Sequence, residues 1–233
     1  MNHTEIIFVI DKSGSMSNLV GDTIGGFNGF IESQKTLDGK ATLTTVLFDT
    51  TWKTLHNGVD IREVKPMTSS DYSAYGCTAM LDAIGETINK VQDRHDELGN
   101  EKPDSVLFVI TTDGEENSSK KFKKSDIEKM IKHQTNGHGW KFMFLGANMD
   151  AVKEAQNIGI NANYAVNYDY SAQGTSAVYA TMDCVASAVR GCTFDDSTSL
   201  SSAYADCLNS VDAVKANASY DDNITILGQT IQN

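Results

Sequence analysis

The chain lacks the features that would place it in several large protein classes. Its four cysteines, Cys77, Cys184, Cys192 and Cys207, are too sparse for a disulfide scaffold and show none of the paired spacings of zinc sites. They are expected as free, partly buried thiols. No apolar run approaches the ~18 residues of a membrane span, and Met1-Asn2-His3-Thr4-Glu5 has neither the basic nor the apolar region of a secretory leader. A cytoplasmic protein without membrane association is the expectation. Positive charge is scarce: 19 Lys and Arg stand against 31 Asp and Glu, and beyond residue 149 the ratio falls to 3 against 10. General nucleic-acid binding needs clustered Lys and Arg to neutralise phosphates, so it is excluded as an expectation. The one basic run, Lys120-Lys121-Phe122-Lys123-Lys124, reads either as a solvated face or as an attractor for an acidic partner. The five histidines show no ligand grouping, and the nucleophile elbow, dinucleotide fingerprint and Walker loop are all missing.

What is present begins with Phe8-Val9-Ile10-Asp11-Lys12-Ser13-Gly14-Ser15-Met16, an apolar run that ends in an aspartate followed by two serines at alternate positions. Such a run reads as a buried strand delivering oxygen-bearing side chains to its carboxyl end. One carboxylate with two hydroxyls suits a hard cation such as Mg²⁺, which takes oxygen ligands in octahedral geometry. Two distant segments add to it. Gly76-Cys77-Thr78-Ala79-Met80 sets a threonine at the start of an apolar-periodic helix. Ser105 to Ile110 is a second buried strand, running through Thr111 and Thr112 to Asp113 and then Gly114, which permits a sharp turn.

Together these three segments resemble the von Willebrand factor A domain family and its metal-ion-dependent adhesion site. That family's pattern is Asp-x-Ser-x-Ser on one loop, threonine on a second and aspartate on a third, and Asp11, Ser13, Ser15, Thr78 and Asp113 fill all five positions. The layout is most similar to stand-alone members from bacteria and their viruses. The resemblance implies a doubly wound, mostly parallel sheet with helices on both faces and one antiparallel edge strand. It also implies that Ser13 and Ser15 touch the metal directly, that Thr78 and Asp113 exchange between direct and water-mediated contact, and that Asp11 organises the shell. The ion expected is Mg²⁺, with Mn²⁺ or Ca²⁺ as substitutes, and its open position would take an Asp or Glu carboxylate of a partner protein.

Rival readings of the same residues fit less well. Asp11, Ser13 and Ser15 match positions 1, 3 and 5 of an EF-hand loop, yet Met16 stands where glycine is needed and Asp22 where glutamate closes the loop. A haloacid-dehalogenase phosphatase expects a second aspartate where Ser13 stands. A metal-dependent hydrolase would need a general base beside the ion, for which Glu115 and Glu116 are the obvious candidates, although acidic groups at such a turn are more often solvated or paired with lysines. A structural role in an assembly, with the metal only stabilising the loops, is a third alternative. The expected function is a non-enzymatic, metal-dependent interaction module.

Along the chain, strands alternate with helices, as in a parallel sheet wrapped on both faces. Strands are expected at 5–10, 41–48, 51–57 (the two latter an edge hairpin), 105–110, 141–145 and 164–166, the last of them at the other edge. Helices are expected at 18–35, 79–97, 125–135, 150–157 and 172–189. Residues 1–190 form the expected domain. Residues 191–233 are an extension packed on it or partly disordered, with an apolar-periodic stretch at 203–214 and a possible short strand at 223–227. In such sheets ligands bind outside the carboxyl ends of the strands, which is where all three motifs fall.

Overall fold

A computed structural model describes residues 3–191 together with 206–207, 225–226 and 229–230, the last two pairs by their backbone alone. The central strand β1 (His3–Asp11) pairs in parallel with β2 (Lys40–Phe48) on one side and β4 (Ser105–Thr112) on the other. β3 (Trp52–Asp60) closes one edge antiparallel to β2, while β5 (Lys141–Ala147) and β6 (Ala165–Tyr168) extend the parallel side beyond β4. The chain is thus α/β and doubly wound, as expected. The stretch expected as the final edge strand is β6, and it is not an edge. Thr225–Ile226 (β7) adds to it antiparallel and Gln229–Thr230 (β8) follows, giving the order β3-β2-β1-β4-β5-β6-β7-β8. Of the apolar-periodic stretch at 203–214, only residues 206–207 are described, and they are helical.

β1 is central because every side chain from Ile6 to Ile10 is apolar and fully buried. A strand buried on both faces reads as a continuous hydrophobic run, and its alternation divides the core in two. Ile6, Phe8 and Ile10 point into the layer holding α1 (Val20–Lys35) and α5 (Ala172–Gly191). Ile7 and Val9 point into the layer holding α2 (Met80–Leu98) and α3 (Lys124–His138), to which α4 (Ala151–Asn157) also contributes. On the first layer α1 and α5 approach closely at Gly26, where an added Cβ would lie 2.2 Å from Cδ2 of Tyr179.

The two crossovers leave β1 and β4 on opposite faces, so their carboxyl ends flank the crevice where such sheets bind ligands. Among the described residues no helix is long and apolar enough to cross a membrane. The expectation of free thiols fails at Cys184 and Cys207, which form a disulfide with Cα atoms 5.6 Å apart. Sequence spacing carried no sign of it, because the bridge depends on a tertiary meeting between α5 and a segment 23 residues further on. Cys77 is a free, exposed thiol, and Cys192 lies outside the described residues.

Candidate metal centre

Asp11 is the last residue of β1 and has no solvent exposure. One carboxylate oxygen accepts the Ser13 amide N–H at 2.7 Å, bending the chain back over the strand end, and the other accepts the Thr112 hydroxyl at 2.6 Å. The Tyr72 hydroxyl donates to the Asp11 carbonyl at 2.5 Å. Ser13 Oγ lies 3.1 Å from Ser15 Oγ, and Ser15 Oγ donates to Asp113 Oδ1 at 2.6 Å. The first and third motifs, 98 residues apart in sequence, therefore share one hydrogen-bonded chain of oxygens.

The middle loop is pinned onto both. The amide of Gly14 donates to the carbonyl of Gly76 at 3.0 Å, and the amide of Tyr75 to that of Lys12 at 2.9 Å. Gly76 holds φ +79°, a left-handed conformation that glycine adopts without strain, and Thr50 Oγ1 occupies the space a Cβ would need. Asn117 grips Thr78 from the third loop: its side chain accepts the Thr78 amide at 2.9 Å, and its own amide donates to the Thr78 carbonyl at 3.1 Å. A methyl group placed on Gly114 would sit 3.5 Å from Thr78 Oγ1 and 3.6 Å from Ser15 Oγ, so all three loops aim hydroxyl or carboxylate oxygen at one small space. All five residues expected at the site are brought together there.

Charge in this space is unbalanced. Burial pushes the Asp11 carboxyl up to about 6, with Asp113 nearby adding to the shift. Burial also raises Asp113 above its ordinary value. Desolvation penalises the ionised form unless a positive group offsets it. The one cation in the motif, Lys12, turns away to pair with Asp49. The second oxygen of Asp113 is buried and has no hydrogen-bond partner. The donor set, two carboxylates and three hydroxyls, is all hard oxygen and suits an octahedral divalent ion better than a soft or nitrogen-seeking metal.

Several residues of this arrangement escaped sequence reading. Thr112, one position before Asp113 at a strand end, could have been suspected from its place, and so could Asn117. Tyr72 and Tyr170, whose hydroxyl donates to the Ser15 carbonyl, reach the loops only through tertiary packing. Glu116 is not a solvated neighbour: it accepts the amides of Leu81, Ser118 and Ser119 and the Ser119 hydroxyl, at 2.7–2.9 Å. It joins the third loop to the start of α2 and has little capacity left for proton abstraction. Glu115 is exposed. In the basic run behind them Lys121 pairs with Glu86 and Lys124 with Glu154, while Asp82 accepts the amides of Lys120, Lys121 and Phe122.

Strand order, crevice and loop arrangement together define a class: the chain has the fold of a von Willebrand factor A domain. Solved structures place it among particular neighbours. It is similar to proximal thread matrix protein 1 from the mussel byssus, solved with a zinc-occupied MIDAS motif, at 19% identity and a TM-score of 0.57, covering 80% of this chain and 46% of that one. It is similar to a manganese-loaded TRAP protein of Plasmodium vivax at 18% identity and a TM-score of 0.54, covering 76% of this chain and 72% of that one. A von Willebrand factor type A protein of Catenulispora acidiphila matches at 14% identity and a TM-score of 0.53, covering 80% of this chain and 43% of that one. The chain thus spans less than half the length of the mussel protein. No family model and no curated protein matches the sequence.

Proposed function

We propose that Asp11, Ser13, Ser15, Thr78 and Asp113 hold a divalent cation, Mg²⁺ in the cell, and that the chain is a protein-interaction module engaging an Asp or Glu carboxylate of its partner through that ion. The observation that carries this reading is the buried, partnerless oxygen of Asp113 beside three converging hydroxyls. A buried acceptor without a donor is costly, and a cation is the simplest group that satisfies it together with its neighbours. When bound, the ion supplies a Lewis-acidic position for an external carboxylate. The residues of this chain supply the rest: Thr112 and the Ser13 amide orient Asp11, Asn117 holds Thr78, and Tyr170 steadies the Ser15 backbone. The zinc-occupied mussel protein and the manganese-loaded TRAP protein support a divalent ion in this fold.

The hydrolase reading loses support because Glu116 is committed to loop amides. The division into a domain at 1–190 and an extension at 191–233 belongs to the same proposal. So does a cytoplasmic location, against which the Cys184–Cys207 bridge weighs, since disulfides persist mainly in oxidising compartments. Thiol counting on protein from its native source decides that point: four reactive thiols mean a reduced chain, and fewer mean the bridge forms.

The functional test is capture from the native host with wild-type and Asp113→Ala baits, in Mg²⁺ and in chelator. A partner retained only by the wild type in Mg²⁺ is the expected result. A partner indifferent to both chelator and substitution would contradict the reading.

A further inference from the structure

The loop that carries Thr78 also holds the most exposed large hydrophobic side chain among the described residues. Three such side chains are exposed, Trp52 at 38%, Tyr75 at 79% and Leu98 at 39%. Leu98 ends α2 at the far pole of the sheet. Trp52 opens β3 opposite Phe48, whose β1 neighbour is Asp11, so it shares the end of the sheet with the candidate metal centre. Tyr75 lies three residues before Thr78, at most about 10 Å of chain away.

The backbone around Tyr75 is locked although its ring is free. Its own amide donates to the Lys12 carbonyl inside the first motif, and the next carbonyl, that of Gly76, accepts the Gly14 amide. The following amide, that of Cys77, donates to Thr50 Oγ1 at 2.9 Å. An aromatic ring on a fixed backbone presents a large contact area and loses little conformational entropy when covered, which is why tyrosine recurs at binding hot spots. The residues linking it to the candidate ligands, Gly14, Gly76 and Cys77, are small and uncharged, and the Lys12 ammonium is already held by Asp49. Covering this rim with an apolar group would strip water from no unpaired charge.

We propose that Tyr75 is a specificity-determining contact of the same site, receiving an apolar side chain two positions from the partner's carboxylate residue in an extended segment. The inference rests on the metal-carboxylate reading above and adds the partner's neighbouring chemistry. Successive side chains of an extended peptide point to opposite faces, whereas those two positions apart share one face about 7 Å from each other, within the span between Thr78 and Tyr75, so one short segment can reach both.

The test uses the full chain with saturating Mn²⁺ and two synthetic peptides, acetyl-Gly-Gly-Asp-Gly-Gly-amide and acetyl-Phe-Gly-Asp-Gly-Phe-amide, titrated calorimetrically with and without chelator. The aromatic peptide should bind about tenfold more tightly, the gain expected of one aromatic pair. That advantage should shrink to less than about twofold in Tyr75→Ala and persist in Tyr75→Phe, with the affinity of the glycine peptide unchanged. An aromatic advantage that survives Tyr75→Ala, or no advantage in the wild type while both peptides still require the metal, would overturn the role of Tyr75 and leave the metal site standing. Binding of both peptides indifferent to chelator would overturn the metal-site reading, and this inference with it.

Discussion

β1 carries a buried carboxylate at each end, and the two meet opposite surroundings. Glu5, at the amino end, is 1% exposed. It accepts from Thr44 at 2.6 Å, from the Arg94 guanidinium, and from His95 at 2.7 Å. Burial alone would raise its pKa, but His95, Arg94 and Thr44 together hold it below the ordinary value of 4.5. Asp11, at the carboxyl end, is equally buried but receives only neutral donors and faces a second carboxylate, so its pKa moves the other way. One strand thus separates a carboxylate saturated by the protein's own donors, the Arg94 guanidinium among them, from one left short of positive charge. The saturated one has nothing to offer a ligand and ties β1, β2 and α2 together. The deficient one belongs to the site proposed above for a cation.

The largest expected effect lies at the saturated end. Glu5→Gln removes the negative partner from Arg94 and His95 in a buried setting and should cost about 3 kcal/mol in a denaturant melt. A cost under about 1 kcal/mol would mean the cluster is solvated and the contrast with Asp11 is false. The same residue should be readable in acid. A carboxyl whose folded pKa lies below its unfolded value contributes stability above the unfolded value, and that stability disappears as pH falls through the folded value. Wild-type protein should therefore lose stability steadily below pH 4.5, with a shallower slope in Glu5→Gln. Parallel slopes would assign the acid sensitivity elsewhere.

At the deficient end the effects should fall on metal affinity more than on stability. Thr112→Val keeps the side-chain shape but deletes the hydroxyl that orients Asp11, so Mn²⁺ affinity should drop about tenfold, at a stability cost of about 1 kcal/mol. Unchanged affinity would show that Asp11 needs no orientation from this side. Comparable in size is the difference between two neighbouring glutamates. Glu116→Ala, which frees three amides, should destabilise by about 1–2 kcal/mol, whereas exposed Glu115→Ala should change stability by no more than a few tenths of a kcal/mol.

The contrast between the two ends also explains what sequence reading could and could not reach. Buried strands announce themselves as apolar runs such as Ile6 to Ile10 and Val106 to Ile110, and what stands at their carboxyl ends follows directly, so Asp11 and Asp113 were visible. Ser13 and Ser15 were visible because they are local to Asp11. The partners of Glu5 were invisible, since Arg94 and His95 lie some ninety positions away and no pattern within either segment marks their meeting. Tyr72, Tyr170 and the Cys184–Cys207 bridge failed for the same reason, because each depends on how elements meet and not on a pattern within one. Glu116 was misjudged because a carboxylate in a turn reads as solvated until the amides it collects are seen.

The most direct measurement is the melting temperature of wild type, Asp11→Asn, Asp113→Asn and Glu5→Gln across a Mn²⁺ titration from chelator to saturation. Wild type should gain stability with concentration, about 2.7 kcal/mol at a hundredfold excess over the dissociation constant. The two site variants should show no gain, and Glu5→Gln, though the least stable in chelator, should keep the full metal response. A wild type indifferent to Mn²⁺, or an Asp113→Asn variant that responds as the wild type does, would contradict the assignment of the ion to this end of the sheet.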